Sequence, residues 1–110
     1  MTEPRLFADG SGIWREDRPG RRHGISWTDI FAVSVHRLDL IDSTCLVIEA
    51  DFEFGEHVEF NELWQGFDAV VRAIAEHLAD VPQDWYERAQ ALAPSAPPLT
   101  IWSRPSPSTP

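Results

Sequence analysis

The chain has 110 residues, 43% of them hydrophobic and 25% charged, which is the length and composition of one globular domain. The net charge of −9 argues against nucleic acid and anionic membranes as partners, because both are bound through Lys and Arg. The single cysteine, Cys45, has no disulfide partner within the chain, and no apolar run reaches the roughly 18 residues of a membrane span. These features predict a cytoplasmic protein.

Short strands are predicted at the beginning of the chain. Asp9-Gly10-Ser11 lies between two short apolar runs and predicts the turn of a β-hairpin. Segment 18–24 combines turn-forming residues with three arginines and predicts an exposed loop. Segment 26–30 predicts either a capped helical turn or the entry into a strand over 31–40, in which Phe31 shares the apolar face.

The clearest two-residue alternation lies in the middle of the chain. Apolar residues at the even positions from Leu46 to Phe54 alternate with acidic residues at the odd positions from Glu49 onward, which predicts a strand with one acidic face. Gly55-Glu56 predicts a turn into a second strand over 57–60. Glu59 continues the acidic side and is predicted to lie opposite Glu53.

Helical periodicity follows Gly66. Apolar residues at three- and four-residue spacing predict an amphipathic helix over about 66–79. Pro82 is predicted to be the first residue of a shorter helix over about 82–92, and segment 99–102 is predicted to be a short strand or a docked segment.

The predicted fold class is α+β, with a single domain over residues 1–104. In it, a bent antiparallel sheet or partly open barrel packs against the amphipathic helix at about 66–79, with a short second helix at about 82–92. The Pro- and Ser-rich segment 105–110 is predicted to be a flexible tail.

No sequence motif predicts catalysis, phosphate binding or a metal site. The four histidines include no i, i+4 pair, and His57 beside Glu56 and Glu59 is a weak ligand set for a divalent ion. Asp51 and Glu53 point the same way on a strand, but an open acidic face gives neither carboxyl the shifted pKa that acid–base catalysis needs. We therefore predict a non-enzymatic protein with no cofactor and no metal ion.

Two groups of residues are candidates for binding. The acidic side chains form either a solvated face or a contact surface for a cationic partner. Each of the five tryptophans either fills the core or anchors a partner, and Trp64, in the connection before the first helix, is the candidate anchor. The candidate binding residues are Glu49, Asp51, Glu53, Glu56, Glu59 and Trp64.

The strings at 24–30 and 61–67, with the order of strands, acidic hairpin, helix, short helix and terminal strand, make the chain similar to small bacterial proteins of the pleckstrin-homology or GRAM-like superfold. The resemblance implies a strongly bent antiparallel sheet closed at one end by the helix at 66–79. It does not imply phosphoinositide binding, because segment 18–24 holds the only basic cluster.

Three functions are compatible with these residues. The first is a non-enzymatic binding module that holds another protein at a sheet edge or at a Trp-lined end. The second is an immunity or inhibitor protein whose acidic face masks a basic toxin or nuclease. The third, an enzyme of unrecognised type, requires a concave site with perturbed carboxylates.

Overall fold

A computed structural model describes residues 4–105, which form two antiparallel sheets, two α-helices and a 3-10 turn. The elements are β1 (Arg5–Ala8), β2 (Gly12–Arg18), β3 (Arg21–Ser26), β4 (Ala32–Asp39), β5 (Thr44–Asp51), β6 (His57–Asn61), α1 (Phe67–His77), α2 (Trp85–Gln90) and β7 (Leu99–Ser103). The first sheet has the strand order β1-β2-β3 and the second has the order β6-β5-β4-β7. This architecture confirms the predicted α+β class.

The first predicted hairpin is confirmed, and Asp9 organises its turn. Its carboxylate accepts hydrogen bonds from the backbone N–H groups of Ser11 at 2.8 Å and Gly12 at 3.1 Å. The Asp9 N–H donates to the carbonyl of Gly12 at 3.0 Å, which closes the turn between β1 and β2. A short polar side chain at a turn commonly satisfies the backbone in this way.

The prediction of an exposed loop over 18–24 is wrong. Only Pro19 and Gly20 form a turn, and Arg21 begins β3, which pairs with β2. The side chains of β3 are exposed at its start, as the polar sequence indicates, but its backbone is hydrogen-bonded to β2. Exposure of side chains therefore does not distinguish a solvated strand from a loop.

Segment 26–30 contains a 3-10 turn at Trp27–Asp29, and the Ser26 side chain makes no capping bond to it. The strand begins only at Ala32. Phe31 lies before the strand and is 44% exposed, so its predicted place on the buried face is wrong. The alternation holds for Val33 and Val35, which are fully buried.

The acidic hairpin is confirmed, but its first strand is shorter than predicted. β5 ends at Asp51, because the N–H of Phe52 donates to the carbonyl of Glu56 at 2.8 Å and begins a turn. Gly55 takes a positive φ of 91° there. Glu53 is consequently in the turn and does not lie opposite Glu59, which corrects the predicted pairing.

Both predicted helices are present, and both are shorter than predicted. α1 begins after Gly66, which has φ of 95° and lies so close to the backbone of Leu6 that a Cβ there would collide with it. α2 begins at Trp85, three residues after Pro82. Arg37 on β4 donates to the carbonyls of Leu92 at 2.6 Å and Gln90 at 3.0 Å, so it fixes the end of α2 to the second sheet.

One hydrophobic core joins the two sheets and the two helices. The N–H of Leu6 on β1 donates to the carbonyl of Gln65 at 2.7 Å, which ties the first sheet to the segment before α1. The fully buried residues include Ile13, Ile25, Ile30, Val33, Val35, Ile48, Ala50, Phe60, Val70, Ile74 and Ala89.

Two sequence predictions concern the ends and the membrane. Apart from Pro105, the predicted flexible tail at 105–110 lies outside the described residues. Within residues 4–105, no helix has the length and apolar character needed to cross a bilayer.

Candidate functional site

The acidic residues on the strands of the central hairpin share the face of the second sheet that points away from the core. Ile48 and Phe60 on β5 and β6 are fully buried on the core face. Glu49, Asp51 and Glu59 alternate with them and point to the opposite side. We define the acidic face as Glu49, Asp51, Glu53, Glu56 and Glu59.

The strand register concentrates charge at the centre of the acidic face. Glu49 pairs directly with Glu59 across the two strands, and Asp51 pairs with His57. His57 Nε2 lies 3.9 Å from Glu49 Oε1 and 3.7 Å from Glu59 Oε1. His57 is therefore the one cationic group, when protonated, that the register places among these carboxylates in the described part of the chain.

This arrangement raises the pKa of Glu49. Partial burial raises the pKa of the Glu49 carboxyl, and the hydrogen bond to Asp51 and the charge of Asp51 raise it further. The charge of His57 lowers this pKa, whereas the charge of Glu59 adds to the increase. The ionised form of Glu49 is thus less favourable on this surface than in water.

Glu49, Asp51 and His57 are also close enough to share a ligand. One donor atom from each lies within 4.8 Å of the others. Carboxylate oxygens and an imidazole nitrogen are donors that divalent ions accept. The sequence predicts a different weak ligand set, His57 with Glu56 and Glu59. In the structure Glu49 and Asp51 of β5 take the places of these two glutamates in the set with His57.

The other two acidic residues extend the face into the turn between β5 and β6. Glu53 and Glu56 are both exposed there. Phe54 lies between them in the chain and is 92% exposed, so the same turn also presents an aromatic ring to solvent. The two-residue alternation predicts Phe54 on the buried face, and this prediction is wrong. The turn signal at Gly55 is the one feature of the sequence that indicates an earlier end of the strand.

Trp64 lies apart from the acidic face, in the connection that follows the other end of β6. It is partly buried and packs against the core. The Arg15 guanidinium lies 5.5 Å from the Trp64 ring centroid. Arg15 Nε is 3.5 Å from Asp17 Oδ1 without hydrogen-bond geometry, so the stacking on Trp64 is a main contact of this side chain.

The remaining tryptophans are engaged within the fold. Trp14 donates its indole N–H to the Asp9 carboxylate at 3.2 Å, and Trp27 donates to the Asp9 carbonyl at 2.8 Å. Trp102 donates to the carbonyl of Ala79 at 2.8 Å, and Trp85 is only 3% exposed. These contacts favour structural roles for the four rings.

A groove of about 380 Å³ runs beside β7, between this strand and the connection from α1 to α2. Asp80 is the single carboxylate residue among its lining side chains, so the groove brings no acid–base pair together. The lining residues are Ala79, Asp80, Pro82, Thr100, Ile101, Trp102, Ser103 and Pro105.

Comparison of the chain with models of protein families, with curated protein sequences and with solved structures finds no significant match. The resemblance to the pleckstrin-homology or GRAM-like superfold stays a prediction.

Proposed function

We propose that this chain is a non-enzymatic, cytoplasmic protein-binding module and that it holds a basic protein on the acidic face. The observation that carries the proposal is the direct pairing of Glu49 with Glu59, with Asp51 beside them. Like charges in a cross-strand pair destabilise a sheet. A cationic side chain placed among these carboxylates relieves the repulsion, so a basic partner is favoured over solvent.

The surroundings of the carboxylates support an arginine-bearing partner. Guanidinium groups bind carboxylates through two parallel hydrogen bonds and also stack on aromatic rings. Phe54 offers such a ring within the turn that carries Glu53 and Glu56. The same negative charge repels phosphate backbones and anionic lipids, so the proposed partner is neither nucleic acid nor a membrane.

A second candidate function is the masking of a basic toxin or nuclease, as an immunity or inhibitor protein does. The repetition of carboxylates along two adjacent strands supports it, because such an array resembles a polyanion. The activity of the captured partner distinguishes this candidate from the first. Stoichiometric addition of the protein would abolish the activity of the captured partner.

The proposal is tested by capture from a lysate of the source organism with a tagged chain, at low and at high salt. The test variant changes Glu49, Asp51 and Glu53 to Gln or Asn, and a matched variant makes three such changes on the helices, at Asp68, Glu76 and Glu87. We expect a basic protein to bind the wild type and the helix variant at low salt and to be released at high salt.

A defined probe makes the result quantitative. Fluorescence anisotropy with a nona-arginine peptide should show at least about tenfold weaker binding to the triple acidic-face variant than to the helix variant. Equal binding of the peptide and of the captured protein to both variants would contradict the proposal, because both variants lose the same net charge. Circular dichroism checks that each variant is folded.

A further inference from the structure

The first sheet has a basic surface, and like the acidic face it includes two like charges paired across neighbouring strands. Five of the nine arginines lie between residues 5 and 22. Arg5 pairs with Glu16 at 3.2 Å, and Arg15 pairs with Asp17 at 3.5 Å. No ion pair joins the other three to a carboxylate within residues 4–105, and all three are exposed. We define the arginine hairpin as Arg18, Arg21 and Arg22.

The arginine hairpin repeats the like-charge pairing of the acidic face with the opposite sign. Arg18 and Arg21 are register partners on either side of the Pro19-Gly20 turn. Arg22 stacks on Phe7, with its guanidinium carbon 4.6 Å from the ring centroid. One chain therefore exposes a cross-strand pair of cations and a cross-strand pair of anions.

The net charge of −9 does not prevent two such surfaces from meeting. The Debye length is about 8 Å at physiological ionic strength, so charges farther away than this are largely screened. The charge near the contact then decides the sign of the interaction. At the hairpin turn that local charge is positive, and at the β5–β6 turn it is negative.

We propose that the arginine hairpin of one copy binds the acidic face of a second copy. Directly opposed residues on antiparallel strands have Cβ atoms about 4.5–5.5 Å apart. Arg18 and Arg21 thus have the same spacing as Glu49 and Glu59, and each guanidinium meets one carboxylate. Arg22 follows Arg21 on β3 and points to the other face of the sheet, where it stacks on Phe7, so it adds positive charge near the contact without entering it.

The contact uses two different surfaces, so it is heterologous and each copy keeps one surface free. Such contacts extend into rings or open chains. The proposal rests on the acidic face that the proposed function also uses. Self-association and partner binding therefore compete for the same carboxylates, and a basic partner releases single copies from the assembly.

The experiment uses two variants that each neutralise one surface without creating a new one. The face variant is E49Q/E53Q/E59Q and the hairpin variant is R18Q/R21Q/R22Q. Sedimentation velocity at low salt should show concentration-dependent assemblies for the wild type and monomers for each variant. An equimolar mixture of the two variants should form a 1:1 dimer that does not grow, because only one matching pair of surfaces remains.

A control variant, D68N/E76Q/E87Q, changes the net charge by the same amount as the face variant and should assemble like the wild type. A wild type that is monomeric at every concentration in low salt would overturn the proposal. Variants that stay assembled separately, or a mixture that forms no dimer, would also overturn it. Binding of the nona-arginine peptide to the hairpin variant tests the proposed function independently. If the peptide still binds but no assemblies form, self-association is wrong and the proposed function of the acidic face stands.

Discussion

Replacement of Glu49 by Gln should stabilise the fold at neutral pH. The Glu49 side chain is 30% exposed and faces Glu59 across the hairpin, with Asp51 beside it. Gln keeps the shape and the amphipathic stem of the side chain, but it removes the charge that both neighbours repel. His57, 3.9 Å from the Glu49 carboxylate, compensates only when it is protonated.

The size of the effect follows from the two like-charged neighbours. Two unit charges 5 Å apart in a water-like medium repel by about 0.8 kcal/mol, and exposed cross-strand pairs are worth about 0.2–1 kcal/mol. Two neighbours, partly offset by His57, make the expected gain about 0.5–1 kcal/mol. For a domain of this length that raises Tm by about 2–4 °C.

Thermal and urea unfolding followed by circular dichroism measure this gain. The raised pKa of Glu49 means that the folded state binds its proton more tightly than the unfolded state, so this group favours folding less as pH rises past its unfolded pKa. The advantage of E49Q should therefore disappear in acid, where wild-type Glu49 is protonated. E76Q, an exposed change on α1 with the same effect on net charge, is the control. A destabilised E49Q, or equal gains in both variants, would refute the reasoning.

Three further substitutions test the contacts that hold the fold. Hydrogen bonds from Ser11, Trp14 and Gly12 lower the pKa of Asp9 to about 2. The ionised carboxylate therefore stabilises the hairpin above pH 3.8, and this contribution is lost as pH falls through about 2. Asp9→Asn should lower Tm at pH 7 and weaken the dependence of Tm on pH in acid. Trp64→Ala should lower the free energy of unfolding in urea by about 3 kcal/mol, the low end for loss of a Trp side chain, because the half-buried ring packs on the core and against Arg15. An unchanged unfolding midpoint would show instead that Trp64 is free to anchor a partner. Arg37→Lys should lower the free energy of unfolding in urea by about 1–2 kcal/mol, because one ammonium group cannot reproduce the three hydrogen bonds to Leu92, Gln90 and Thr44. The control Arg88→Lys, at an exposed position, should leave the unfolding midpoint unchanged.

The sequence predicted those features that depend on local periodicity and local turn chemistry. The two-residue alternation from Ile48 to Asp51 places apolar residues on one side of a strand and carboxylates on the other whatever its neighbours are, so the acidic face was predictable. The spacing of Phe67, Val70 and Ile74 likewise specifies one apolar stripe on a helix, and α1 buries these residues. Asp9-Gly10-Ser11 closes its turn through its own side chain and backbone.

The features that the sequence did not predict depend on partners distant in the chain. Alternation identifies a face, but it does not state where pairing stops or which residues face each other, because register is set by the turn. The bond from Phe52 to Glu56 ends β5 at Asp51, brings Glu49 opposite Glu59 and leaves Phe54 in solvent.

The same limit applies to the arginines and to the tryptophans. Pairing with β2 makes Arg21 the start of a strand, although its sequence has the composition of a loop. Whether an indole anchors a partner or serves the fold depends on an acceptor such as the Ala79 carbonyl, 23 residues before Trp102. Composition and periodicity determined which faces this protein has, and tertiary contacts decided which side chains meet on them, because a long-range contact depends on both of its partners.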